Sequence, residues 1–173
     1  AQRPAPRVPR ADLVGDLESL PFAAGSLNLA VSLLALQGVN DLPGALIQIK
    51  RALGPDGLFM GCLLGGRTLQ ELRQALLEAE SETMGGVSPR VAPFADLRDA
   101  AGLLQRAGFA LPVADLDTVT VTYSDFFALL HDLRGMGEAQ ALFDRLKHPT
   151  RRATFARAAA IYQDRFADRD GRL

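Results

Sequence analysis

An aspartate directly after a glycine, Asp16, closes the short apolar run "ADLVGD". A carboxylate at a strand end can accept hydrogen bonds from ribose hydroxyls or an adenine amino group. The same Gly-Asp pair also serves an ordinary turn. Two further strand ends offer functional groups: Ser32 and the "LLALQG" segment with Gln37, then residues 64–66 with Gly65 and Gly66. Gln37 reads either as a ligand-facing amide or as a polar loop residue. Arg67 and Arg90 carry the charge that an acidic substrate would need, although solvated or salt-bridged arginines are the commoner use of that residue.

The remaining reactive side chains are sparse. Cys62 is the single cysteine, so no internal disulfide can form, and its apolar surroundings read as a buried, inert thiol. His131 and His148 are far apart with no second Cys/His cluster, which argues against a zinc site. His131, beside Asp132, reads as exposed. The chain contains no Gly-x-Ser-x-Gly, no phosphate-loop lysine motif and no His-Glu-x-x-His, which disfavours hydrolase and phosphotransferase chemistry.

Those residues need elements to position them. "LNLAVSLLAL", residues 27–36, is a continuous apolar run, the pattern of a strand covered on both faces. Asp41 suits a helix N-cap with Pro43 in the first turn, and Leu42, Leu46, Ile49 and Leu53 recur at helical spacing. "GPDG", residues 54–57, is expected to stop that helix and turn the chain into a strand over residues 58–64. Strand, helix and strand at crossover spacing predict a parallel α/β sheet. Thr68 and Glu71 make a capping-box pattern before the stripe Leu69, Leu72, Leu76 and Ala79, ended by Gly85 and Gly86.

Phe94, Leu97, Ala101 and Leu104 mark a further helix stopped by Gly108. Val119, Val121 and Tyr123 alternate with threonines, the pattern of a half-buried strand within residues 110–123. The character then changes to two helical stripes: Phe126, Leu129, Leu133 and Met136, and Phe155, Ala158, Tyr162 and Phe166, the second opened by Thr150. The organisation expected is an α/β core over residues 1–123 with a helical segment of the same domain over 124–173. The first ten residues, rich in arginine and proline, have no apolar stretch of secretory type.

With 173 residues, 48% apolar and 23% charged, the chain is long enough for a real core. A formal net charge of −1 gives no general attraction to nucleic acid or to an anionic membrane. No run approaches the ~20 apolar residues that span a bilayer.

"GDLESLPFAAGSLNLAVS…VNDLPGALIQIKRALGPDGLF" resembles the part of class I S-adenosylmethionine (SAM)-dependent methyltransferases that follows their glycine-rich loop. "LLGGRTLQELRQALLEAE", "GGVSPRVAPFADLRDAAGLLQRAGFALPVAD" and "HDLRGMGEAQAL" are more discriminating. They resemble bacterial relatives of the mitochondrial complex I assembly factor that has this fold and acts as a protein arginine hydroxylase. More distantly they resemble the malonyl–acyl-carrier-protein methyltransferases of biotin synthesis. The resemblance implies an incomplete Rossmann-like sheet with flanking helices, and SAM as cofactor. It places Asp16 near the adenine, with a backbone amide from Leu17, and it sets Ser32, Leu33 and Gln37 beside the methionine part. It faces Gly65, Gly66 and Arg67 toward the substrate and makes Arg90 a substrate-side or structural residue.

The chain departs from the family at two sites. Leu27-Asn28-Leu29 stands where Phe-Asp-Leu is usual, and Gln37-Gly38 where His-Trp is usual. The second change removes an aromatic wall beside the cofactor. The family's glycine-rich loop, the acid after its second strand and its final strand have no counterpart in this chain. Since that loop lets backbone approach the cofactor closely, SAM binding by this chain alone is expected to be weak or absent. Three functions follow from the resemblance: methyl transfer to a protein, carrier-bound or small-molecule acceptor, an arginine hydroxylase-like activity, or a non-catalytic binding role. A cytoplasmic setting of bacterial type is implied. The Phe155–Tyr162–Phe166 stripe reads as core or lid packing, with association as the alternative if part of it is exposed, and a homodimer is a further expectation.

Overall fold

The computed structural model describes residues 13–91, 93–137, 149–168 and 171. Strand β1 spans Leu27–Leu33, helix α1 Leu42–Ala52 and strand β2 Leu53–Cys62, with a 3-10 turn at Leu36–Gly38 after β1. The two strands pair in parallel, as the strand–helix–strand order predicts. The Asp41 side chain accepts from the Gly44 amide at 2.8 Å and Pro43 lies in the first turn, so the α1 start is the one expected. α1 lays Ala45, Leu46 and Ile49 against Leu36 and Leu53, with Leu27, Ala30 and Phe59 completing the cluster.

Three local expectations fail here for physical reasons. The strand expected over 58–64 begins at Leu53, directly after α1. "GPDG" does bend the chain, but inside β2: Leu27 faces Leu53 and Leu29 faces Leu58, so the ladder is interrupted and then resumes. β1 stops at Leu33, where Leu34 takes a positive φ of 50°, and the apolar residues after it enter the 3-10 turn. Residues 13–15 form no strand; Asp16 makes only an isolated bridge with Ser19.

α2 spans Gln70–Met84, α3 Leu97–Arg106, α4 Phe126–Gly135 and α5 Arg152–Phe166. Leu72, Leu76 and Ala79 of the predicted stripe are buried, together with Ala75. They pack with Phe126 and Leu129 of α4 and Ala158, Ile161 and Tyr162 of α5. The capping box does not form: Leu69 occupies the cap in a left-handed conformation, φ 55°, with no side-chain hydrogen bond. Gly85, φ 68°, ends α2 as expected, since a left-handed cap suits a residue without Cβ. Asp125 caps α4 through the Phe127 and Ala128 amides. The cap of α5 is Arg151, not Thr150. The Phe155–Tyr162–Phe166 stripe faces the core: Tyr162 is buried, and Phe155 and Phe166 pack against the same cluster.

The half-buried strand expected within 110–123 has no ladder; Val119 and Val121 are exposed, and only Tyr123 packs on the α2–α4–α5 core. The chain divides into two units. One holds the described residues up to Leu63 with Ala101–Pro112, and the other holds Leu64–Ala100 with the described residues from Val113 onward.

Candidate functional site

In the first unit, the candidate residues lie on two segments tied by one glutamate. Asp16 Oδ1 accepts from the Glu18 amide at 2.9 Å, and the Asp16 carbonyl accepts from the Ser19 amide at 3.1 Å, closing a tight turn. That turn leaves the Asp16 carboxylate exposed, with Leu17 beside it at the surface. Glu18 Oε1 in turn accepts from the Asn40 side chain at 3.0 Å and from the Asn40 backbone amide. Gln48 of α1 locks the same loop from the other side. It donates to the Glu18 carbonyl and accepts from the Leu20 amide, both at 2.9 Å. The 16–20 turn is thereby fixed to the segment just beyond the 3-10 turn that carries Gln37.

At the end of β1, Ser32 and Leu33 occupy the last two positions. The Ser32 hydroxyl is buried with no hydrogen-bond partner among the described residues. Leu33 is 72% exposed. Gln37 Nε2 donates to the Leu34 carbonyl at 2.8 Å, bracing the turn that follows the strand. A parallel sheet offers ligands its carboxyl-terminal strand ends; Ser32 stands near that end of β1, and Gln37 lies in the 3-10 turn that follows. Cys62, at the end of β2, is exposed and not buried as its apolar neighbours suggested, because the sheet face that carries it is uncovered.

In the second unit, residues 65–70 form two overlapping turns, Thr68 amide to Gly65 carbonyl at 2.9 Å and Gln70 amide to Arg67 carbonyl at 3.2 Å. A Cβ on Gly66 would meet Asp96 Cβ at 3.4 Å, an ordinary van der Waals contact. Arg67 is exposed. Arg90 is engaged in a buried cluster. Its Nη2 lies 2.5 Å from Glu80 Oε1, and its Nη1 donates to Thr150 Oγ1 at 2.5 Å. Glu80 also accepts from the Ser88 amide at 2.7 Å and from the Ser88 hydroxyl at 2.9 Å. Burial opposes the Glu80 charge, but the hydrogen bonds from Arg90 and Ser88 outweigh it and hold the carboxyl below its ordinary pKa. Tyr162 shifts the other way: burial, then Glu71 and Tyr123, push its phenol up.

The sequence reading missed Glu18, Asn40, Gln48 and Glu80. The first three are joined across 22 to 30 residues of chain, and nothing in their local spacing announces it. Glu80 had a readable signal, since it stands four residues after Leu76 and eight after Leu72, on the apolar stripe. An acid in that position needs a buried partner. His131 is exposed as expected, and His148 lies outside the described residues. Among the described residues no group of three or more His, Cys, Asp or Glu could hold a metal ion.

A family model described as "Methyltransferase domain" matches residues 2–61, the stretch that contains the Asp16 turn, β1, α1 and nearly all of β2. The chain is 43% identical over 166 residues to Arginine-hydroxylase NDUFAF5, mitochondrial, of Rattus norvegicus, across 96% of this chain and 48% of that one. It is 37% identical over 158 residues to Malonyl-[acyl-carrier protein] O-methyltransferase of Gallionella capsiferriformans (strain ES-2), across 91% of this chain and 52% of that one. Residues 2–61 match the methyltransferase-domain model, and both relatives match nearly the whole of this chain.

The chain spans about half the length of the curated relatives it matches. A solved SAM-dependent methyltransferase from Thermotoga maritima is a remote likeness, with a TM-score of 0.44 and 21% identity over 57% of this chain and 45% of that one. No helix of the described residues is long and apolar enough to cross a membrane.

Proposed function

We propose that this chain contributes the adenine and methionine flanks of a SAM site used for methyl transfer to a protein, carrier-bound or small-molecule acceptor, and that it is not competent alone. The observation that carries the reading is the Glu18 tie between the Asp16 turn and Asn40, within the stretch that matches the methyltransferase model. Asp16 has one carboxylate oxygen engaged by the Glu18 amide and is otherwise exposed, so it retains acceptor capacity for ribose or adenine donors. The unpartnered Ser32 hydroxyl suits a ligand polar group at the end of β1. In this reading Leu17, Leu33 and Gln37 of the first unit serve the same flank. Arg90, held by Glu80 and Thr150, serves the second unit as a structural residue.

SAM brings the activated methyl group; the chain's own residues bind, orient and exclude water. An in-line displacement needs no triad and no metal, so the sparse set of reactive side chains is compatible with it. The names of the relatives favour a protein or carrier-bound acceptor over a small molecule, in a cytoplasmic setting.

A second reading, protein arginine hydroxylation, is favoured by the printed name of the relatives at 43% identity. Assay of the chain joined to the part of a relative outside the matched stretch separates the two. S-adenosylhomocysteine formation without an oxygen requirement supports methyl transfer. Turnover that needs oxygen and an added metal supports hydroxylation.

A further inference from the structure

The Asp16 carboxylate is placed by residues outside its own turn. Its Oδ1 accepts from the Glu18 amide and its carbonyl from the Ser19 amide, so its position follows that of residues 16–20. Two polar attachments hold those residues, and both lead to α1. Gln48 pairs with the end of the turn as a strand would: Nε2 donates to the Glu18 carbonyl, and Oε1 accepts from the Leu20 amide. A glutamine amide suits this task because it carries a donor and an acceptor side by side. The Glu18 carboxylate reaches the other way, to the side chain and backbone amide of Asn40, which directly precedes the α1 cap Asp41. Leu20 adds an apolar anchor by packing against the α1 cluster.

Residues 16–19 are exposed, so this brace orders a segment that contributes little to the core, against the entropy of fixing it. Preorganisation of a binding group is what such ordering provides. We propose that Gln48 and Glu18 are positioning residues of the SAM site proposed above, a role that depends on that reading. They act through the turn, setting the span between the adenine flank at Asp16 and the methionine flank at Gln37. Asn40 follows Gln37 closely in the chain, so one carboxylate ties the first flank to the segment that carries the second. A ligand that bridges both flanks gains from a span fixed in advance. A ligand that engages the turn alone gains far less, since a loosened turn can follow it.

The test has two arms. In the chain alone, hydrogen exchange at the Leu20 amide should be slow, and Gln48→Ala should speed it by about tenfold or more. In a fusion with the unmatched remainder of the Gallionella relative, calorimetric titrations with SAM and with adenosine give the functional readout. Gln48→Ala and Glu18→Ala should each weaken SAM about tenfold and adenosine no more than about twofold. Glu18→Gln keeps an acceptor for Asn40 and should hold SAM affinity close to that of the unsubstituted fusion. A merely structural role would weaken both ligands alike and would lower the melting temperature without changing the ratio of their affinities. Fast exchange at Leu20 in the unsubstituted chain would overturn the proposal while leaving the SAM reading intact. So would a SAM-to-adenosine affinity ratio that neither alanine variant changes. A folded, unsubstituted fusion that binds neither ligand would overturn the SAM reading, and this role with it.

Discussion

Arg90 Nη2 and Glu80 Oε1 meet at 2.5 Å where Glu80 is only 2% exposed, so one loop arginine neutralises an acid buried on the apolar face of α2. Thr150 Oγ1 accepts from Arg90 Nη1, and the loop over residues 87–91 and the start of α5 are thereby held to α2. Of the two roles expected for Arg90, substrate-side or structural, these contacts fit the structural one, a clasp within the helical core.

Removing the acid should expose the strength of that clasp. Glu80→Ala leaves the guanidinium buried without its counter-charge, and loss of one partner of a buried pair costs about 3 kcal/mol or more. Chemical denaturation should show this as a lower midpoint. Arg157→Ala, which breaks the exposed pair with Glu82, should leave the midpoint nearly unchanged.

Acid should have the same target. The folded Glu80 pKa lies below its ordinary value of 4.5, so the unfolded state binds the proton more readily. The stabilisation is therefore fully present above about pH 4.5 and is lost as pH falls through the folded value. Melting temperature of the wild-type chain should drop below that point, and Glu80→Gln should flatten the drop. Equal acid sensitivity in both would show that other carboxylates control it.

Ser32→Ala separates a ligand role from a structural one. A buried hydroxyl without a partner gives the fold nothing, so its removal should leave thermal stability unchanged or slightly raised. In the fusion with the remainder of a relative, the same change should weaken SAM binding several-fold. A clear loss of stability with unchanged affinity would assign Ser32 to the core instead.

Asp41→Ala should cost about 1 kcal/mol, since the Gly44 amide loses its acceptor at the start of α1. Circular dichroism during urea unfolding measures it. An unchanged midpoint would mean that water replaces the cap without loss.

The legible parts of the fold were those written in short-range chemistry. Asp41, Pro43 and the spacing of Leu46 and Ile49 announce α1, and the stripes of α2, α4 and α5 follow from 3.6-residue periodicity. Errors arose where long-range pairing decides. "GPDG" carries the signature of a terminal turn, yet β1 recaptures the chain at Leu58 and absorbs the turn into β2. Val119 and Val121 alternate like a strand, but among the described residues they pair with no other strand and stay exposed. Burial of Cys62 was inferred from apolar neighbours, although the sheet leaves that face open. In the candidate site, the ends of β1 and β2 were legible to within about three residues, whereas the strand expected before Asp16 is absent. The Glu18–Asn40–Gln48 ties were not legible, because polar residues distant in sequence give no periodic signal.

Calorimetric titration with SAM tests the central claim most directly, on the chain alone and on its fusion with the unmatched remainder of a relative. The account predicts no saturable heat from the chain alone at cofactor up to ~1 mM, and clear binding by the fusion, weakened by Asp16→Ala. Tight binding by the chain alone, or none by a folded fusion, would contradict it.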